Sequence, residues 1–106
     1  MIKYITVLSR RAGMSREQFS RYWKTTHAPI LQQIPGLKGY VQNHALADTE
    51  GNEPPYDGFG EHYFDSLDAM REALASPEGE ATLADIPNFC DTGRLVRVYV
   101  EEVKFV

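Results

Sequence analysis

Four strand-like segments and two main helical segments follow one another in the order β-α-β-β-α-β, which predicts an α+β domain of the ferredoxin-like, split βαβ kind. Two further observations support that reading. The first helical segment carries a single apolar stripe that needs a sheet to lie on, and the first and last strands carry apolar residues on both faces. The expected architecture is a four-stranded antiparallel sheet with helices on one face only. The other face would be a large apolar patch in water, so a homodimer whose sheets meet face to face is expected.

The opening segment, Met1–Arg10, is rich in β-branched and aromatic residues and holds no breaker, which predicts a strand. Ile5 and Val7 point to one face, Tyr4 and Leu8 to the other. After the Gly13 turn, Ser15 and Gln18 have capping-box spacing; Phe19, Tyr22, Trp23, Thr26, Ile30 and Ile34 then recur at helical intervals up to Pro35-Gly36. At about 100° per residue, His27 falls on the edge of this stripe beside Leu31, two residues before a proline that cannot extend the hydrogen-bond ladder. It is expected at the rim of whatever the helix packs upon.

A second strand is expected over 37–46, with Tyr40, Gln42, His44 and Leu46 on one face and Val41, Asn43 and Ala45 on the other. The first set is unusually polar for a buried surface. Residues 47–57 are acidic and rich in Gly and Pro, a surface loop long enough to cover an opening. A third strand over 58–64 contains two glycines, which mark a bulge or a close backbone approach. Asp65 or Ser66 caps the second helix, with Leu67, Met70, Ala73 and Leu74 at helical spacing, and Ser76-Pro77-Glu78 opens a further helical stretch that Pro87 stops. The last segment, 94–106, is expected to be the longest strand, alternating Val96, Val98 and Val100 with Arg97, Tyr99 and Glu101.

At 106 residues and 42% apolar content, the chain is the size of one domain spanning 1–106. A net charge of −4 with interspersed signs gives no basic stripe for phosphates, so nucleic acid is not an expected partner. There is no apolar run of membrane-spanning length and no signal-peptide pattern, which points to a cytoplasmic protein with no membrane partner. The single cysteine, Cys90, allows no internal disulfide and no CxxC metal site, and it has no activating neighbour.

The chain also resembles the EthD family of the dimeric α+β barrel group. The likeness runs through the opening strand, the SREQFSRYWKTTHAPI helix with its HAP motif, PGLKGYVQNHAL, and DGFGEHYFDSLDAMREALASPEGEATLADIPNF. It implies a ferredoxin-like dimer with a pocket between each sheet and its helices, near ring-cleavage-pathway isomerases and aromatic-polyketide cyclases of the same superfamily. The founding members accompany ether degradation. In the related methylmuconolactone isomerases a helix histidine and a strand tyrosine line the pocket, and these match His27 and Tyr40; the loop over 48–57 has no match to the isomerases' extra histidine, so their reaction is not carried over.

Several side chains can carry chemistry. His27 titrates near neutrality unless its surroundings tune it, so it is the candidate general acid or base; the plainer role is to satisfy helix-end carbonyls. Tyr40, Gln42 and His44 share a face and can orient a polar substrate atom, unless they are simply edge-strand residues in solvent. Glu61 and Tyr63 share a face of the third strand, where Glu61 can act as a raised-pKa partner of a histidine or pair with Arg97 across strands. Trp23, Phe59, Tyr63 and Phe89 can wall a planar guest, unless they are simply core, while His62 lies on the other parity and reads as structural. No metal-ligand spacing is present.

Taken together, the expected function is cofactor-free acid–base chemistry of lyase, isomerase or cyclase type on a small apolar or aromatic oxygenated molecule. His27, Tyr40 and His44 would be catalytic, with Trp23, Gln42, Glu61, Tyr63 and Phe89 binding substrate. Two other readings fit the same residues: a noncatalytic binding protein of a degradation pathway, and a haem-binding, oxygenase-like protein with His27 as axial ligand.

Overall fold

In the computed structural model, which describes residues 1–106, β1 (Ile2–Leu8) runs through the middle of a four-stranded antiparallel sheet. It pairs with β3 (Gly58–Phe64) on one side and β4 (Val96–Glu101) on the other, and β2 (Gly39–His44) forms the far edge beyond β3. The order β2-β3-β1-β4 arises because each helical crossover passes over one strand, which leaves the two strands that precede the crossovers in the centre. This is the ferredoxin-like arrangement expected. No helix is long and apolar enough to cross a membrane.

The first helix explains where the histidine goes. The Ser15 hydroxyl accepts from the Gln18 N–H at 3.0 Å while Gln18 Oε1 accepts from the Ser15 N–H at 2.8 Å, and this capping box opens α1 (Arg16–Tyr22). A π-turn over Trp23–His27 then leads into α2 (Ala28–Leu31). Pro29 has no N–H to offer the carbonyl four residues back, and the turn before it widens: the Ala28 N–H donates to the Trp23 carbonyl, five residues away. One extra residue in a turn sets the helix back by about 100°. Thr26, expected in the buried stripe, is therefore exposed, and His27, expected at the rim, is only 2% exposed and lies in line with Phe19, Trp23 and Leu31.

Ser66, not Asp65, caps α3 (Leu67–Ala75), its hydroxyl accepting from the Ala69 N–H at 3.1 Å. Ser76 caps α4 (Pro77–Asp85), whose C-terminus passes into a 3₁₀ turn, Ile86–Asn88, at Pro87. The helices cover the sheet face that carries Tyr4, Thr6 and Leu8. Two apolar clusters fill the interface: one joins Tyr4, Leu31, Ile34, Phe64, Met70 and Ala73, the other Leu8, Phe19, Trp23, Ile86, Phe89 and Cys90.

The other sheet face has no cover. Val41, Phe59, Val96 and Val98, which are 38–43% exposed, share this face with Ile5 and Val7 in two adjacent rows, Val41-Glu61-Ile5-Val98 and Asn43-Phe59-Val7-Val96. β4 ends at Glu101, short of the expected Val106, because β1 begins at Ile2 opposite it and offers no further partner. Val103, Phe105 and Val106 are exposed beyond it. The 47–57 loop does not cover an opening; its Glu53 carboxylate accepts from Arg16 Nε at 3.0 Å, and Asp57 accepts from the Arg10 N–H at 2.8 Å.

The β3 glycines mark close approach, with no break in either ladder. A Cβ on Gly58 would stand 2.6 Å from Cζ3 of the buried Trp23 ring, and one on Gly60 would stand 2.6 Å from Thr6 Oγ1. Since Trp23 has no room to retreat, Gly58→Ala should destabilise the fold by about 1–3 kcal/mol, the usual cost of overpacking. Urea midpoints of variant and parent test this; equal midpoints would mean that the ring is not held there.

Candidate active site

The buried His27 imidazole meets a carboxylate supplied by the end of α4. Its Nδ1–H donates to Asp85 Oδ2 at 2.8 Å, and Asp85 Oδ1 accepts from the Tyr22 hydroxyl at 2.6 Å and from Asn88 Nδ2 at 2.9 Å. Burial alone would raise the Asp85 pKa, but the hydrogen bonds from Tyr22, Asn88 and His27 outweigh it and hold the group below the ordinary carboxylate value. Burial lowers the His27 pKa below its usual 6.5, although Asp85 opposes that shift. The resulting state is a neutral imidazole with its proton on Nδ1 and a lone pair on Nε2. Phe89, fully buried, packs against the ring with centroids 4.8 Å apart.

His27 and Trp23 line a mostly apolar cavity between sheet and helices, with Tyr4, Thr6 and Leu8 from β1, His62 and Phe64 from β3, and Arg97 from β4. His62 is 6% exposed; its Nδ1–H donates to the Tyr4 carbonyl at 2.9 Å, which fixes the tautomer because a carbonyl only accepts. Its Nε2 therefore also carries a lone pair, and burial depresses its pKa to about 4. The enclosed free space is only about 30 Å³. A haem macrocycle does not fit beside His27 in this packing, and a guest larger than a few atoms has to displace side chains at the cavity mouth.

Several expected site residues stand elsewhere. Tyr40, Gln42 and His44 do share the helix-facing side of β2, but they bond one another instead of lining the cavity. Gln42 Nε2 donates to the Tyr40 hydroxyl at 2.7 Å and to the Trp23 carbonyl at 3.0 Å, and Gln42 Oε1 lies 2.8 Å from His44 Nε2. The trio thus braces the π-turn at the carbonyl where it opens. His44 also packs on Trp23, with ring centroids 4.7 Å apart, and burial raises the Tyr40 pKa to about 12. Tyr40 reaches the cavity only through His62, on which it stacks at 5.0 Å.

Glu61 and Tyr63 point to the uncovered sheet face, away from His27, since alternate strand residues face opposite ways. Glu61 accepts from Lys3 Nζ at 2.6 Å rather than pairing with Arg97, and that bond lowers its pKa instead of raising it. Burial pushes the Cys90 thiol up to about 12, which leaves it unreactive.

Sequence reasoning missed Asp85, His62 and Arg97. Asp85 is 58 residues from His27, and no local spacing links them. His62 was readable: it shares its parity with the Phe64 core position, so an imidazole there had to be buried and to need a partner.

The EthD domain model matches residues 11–93. An uncharacterised 11.0 kDa protein in the thcB-thcC intergenic region of Rhodococcus erythropolis is 33% identical over 75 residues, which cover 71% of this chain and 72% of that one. Among solved structures, an EthD family protein of Bacillus halodurans superposes with a TM-score of 0.82 at 24% identity, covering 97% of this chain and 99% of that one. A dimeric ferredoxin-like protein of Thermobifida fusca gives 0.71 at 23% identity, covering 93% and 88%. The structural likenesses establish the fold; the match along most of the sequence shows that the chain belongs to the EthD family.

Proposed function

We propose that this protein is an enzyme that moves a proton on a small apolar, oxygenated molecule, with His27 as the base. The observation that carries the proposal is a neutral, buried imidazole whose Nδ1–H is fixed by Asp85 and whose Nε2 lone pair opens on an apolar cavity. Nε2 takes a proton from a carbon next to a carbonyl; the C–H pair becomes a C=C bond as the C=O π pair moves to oxygen, giving an enolate. Returning the proton to another carbon of a conjugated system isomerises the molecule; a β-substituent that leaves with its bonding pair and takes the proton from His27 makes it a lyase reaction; attack of the enolate carbon on a second carbonyl closes a ring, and His27 protonates the resulting alkoxide. No cofactor is required for any of these steps.

Deuterium wash-in tests this before the natural substrate is known. A panel of small enolisable ketones, esters and lactones, incubated with the protein in D₂O, should lose α-C–H signal in ¹H NMR faster than in buffer, and His27→Ala should abolish the acceleration. Binding without exchange across the panel would make the protein a carrier instead.

The protein acts as a homodimer whose uncovered sheet faces meet. Support comes from the exposed apolar side chains that each of the four strands presents on this face and from the dimeric Thermobifida fusca neighbour. A lysine in place of one of these valines would bury a charge against the partner, so Val98→Lys should shift the sedimentation coefficient from dimer to monomer. A parent protein that sediments as a monomer at micromolar concentration would refute the pairing.

A further inference from the structure

The mouth of the cavity differs from its depth in charge. Among the residues lining the cavity there is no Asp or Glu, and the one charged side chain is Arg97. Arg97 lies on β4 opposite Thr6, at the sheet edge on the helix-facing side, and is exposed to solvent. Arg10, Arg16 and Arg71 each have a carboxylate partner; Arg97, like Arg11, Arg21 and Arg94, has none, and of these four it is the one that lines the cavity. The cavity's nearby carboxylate, Asp85, is already engaged by Tyr22, His27 and Asn88. A guanidinium beside the Tyr4 hydroxyl, with no carboxylate partner, thus stands at the entrance of an apolar chamber.

The depth of the chamber has the opposite character. His27 donates its proton outward to Asp85, and His62 donates its own to the Tyr4 carbonyl, so both rings are left with Nε2 lone pairs and no protein partner for them. Two lone pairs repel an anionic oxygen and welcome a hydrogen, whether of a hydroxyl or of an acidic C–H. The chamber is therefore polarised, with its cation at the entrance and its acceptors at the closed end.

We infer that the guest is a small apolar carboxylate, bound with its carboxylate on Arg97 at the mouth and its apolar body inward, so that a hydroxyl or acidic C–H at its far end meets the two imidazoles. This assignment rests on the reading of the cavity as the binding chamber. Guanidinium and carboxylate match as a two-point, charge-assisted hydrogen-bonded pair, which a neutral amide cannot reproduce. Arg97 and the partly exposed Leu83 close the solvent side, and their side chains are the ones a ring-sized guest displaces.

Trp23 is the chain's one tryptophan and lines the cavity, so its fluorescence reports occupancy. Benzoate and benzamide, nearly equal in shape and different in charge, are the titrants at pH 7. Benzoate should quench with an affinity about tenfold or more above that of benzamide, as befits a charge-assisted pair. Arg97→Gln should bring the affinity for benzoate down to that for benzamide, with an unchanged urea midpoint of the ligand-free variant as the control for folding, and His27→Ala should keep the preference. Equal affinities for the two titrants, an anion preference that survives Arg97→Gln, or no quenching by either would each overturn the inference. An anion preference without deuterium exchange would leave it standing and remove the catalytic reading; exchange of neutral ketones without that preference would do the reverse.

Discussion

Replacing His27 with alanine should slow enzyme-dependent proton transfer by about 10²- to 10⁴-fold, the usual share of a positioned general base. No other group can take over. His62 Nε2 opens on the same cavity, but its pKa near 4 makes it a far weaker base, and Tyr40 and His44 are committed to the brace around the π-turn. The companion change, Asp85→Asn, separates chemistry from architecture. It keeps His27 but removes the carboxylate that fixes the Nδ1–H tautomer and favours the protonated ring, so it should cost about 10- to 100-fold.

The pH profile supplies a second readout of the same pair. A base works when deprotonated, so the parent rate should rise with pH through the His27 pKa, which lies below 6.5, and then level off. Asp85 raises that pKa against the effect of burial; without the carboxylate the rise should move to still lower pH. A merely structural loss would lower the rate at every pH without moving the curve. An unshifted profile in Asp85→Asn would therefore show that the carboxylate does not act through His27.

How far the sequence led can be traced at this histidine. Strand order, capping box and helix starts all follow from local chemistry, since each is written within a few neighbouring residues: Ser15 with Gln18, Ser76 with Pro77, the alternation through Val96, Val98 and Val100. His27 stood out because a proline follows it, yet straight helical counting put it at the rim. The same proline undid that count, because the widened turn rotates His27 inward and Thr26 outward. The Asp85 partner was illegible for another reason: it depends on how the end of α4 lies against α1, a tertiary fact with no sequence period. For Glu61 and Tyr63 strand alternation gives the shared parity but not the face, because both sheet faces are apolar and nothing within the strands says which one the helices take.

Lowering the pH from 7 to 4 should destabilise the folded protein by about 3 kcal/mol through His62 alone. Its folded pKa is about 4, whereas an unfolded chain protonates the same ring near 6.5. Across that interval the unfolded state binds the proton and the native state does not, so the stabilising term is full above pH 6.5 and is lost as pH falls toward 4. A gap of about 2.5 pH units at 1.36 kcal/mol each comes to somewhat more than 3 kcal/mol in full, of which about 3 is lost by pH 4, where the native ring is half protonated. Burial lowers His27 and His44 too, so their losses run the same way over the same side of neutrality. The carboxylates held low by hydrogen bonds, Asp85 and Glu61 among them, begin to lose their contribution only as pH falls below about 5, so the histidine phase comes first. Urea unfolding at pH 7, 5.5 and 4.5, at one protein concentration because a dimer's stability depends on it, should give a steadily falling free energy in the parent. In His62→Gln the fall should be shallower by most of the His62 share, since glutamine can donate to the Tyr4 carbonyl without a proton to take up. If the parent and His62→Gln fall in parallel, the buried imidazole is not what sets the acid limit of this fold.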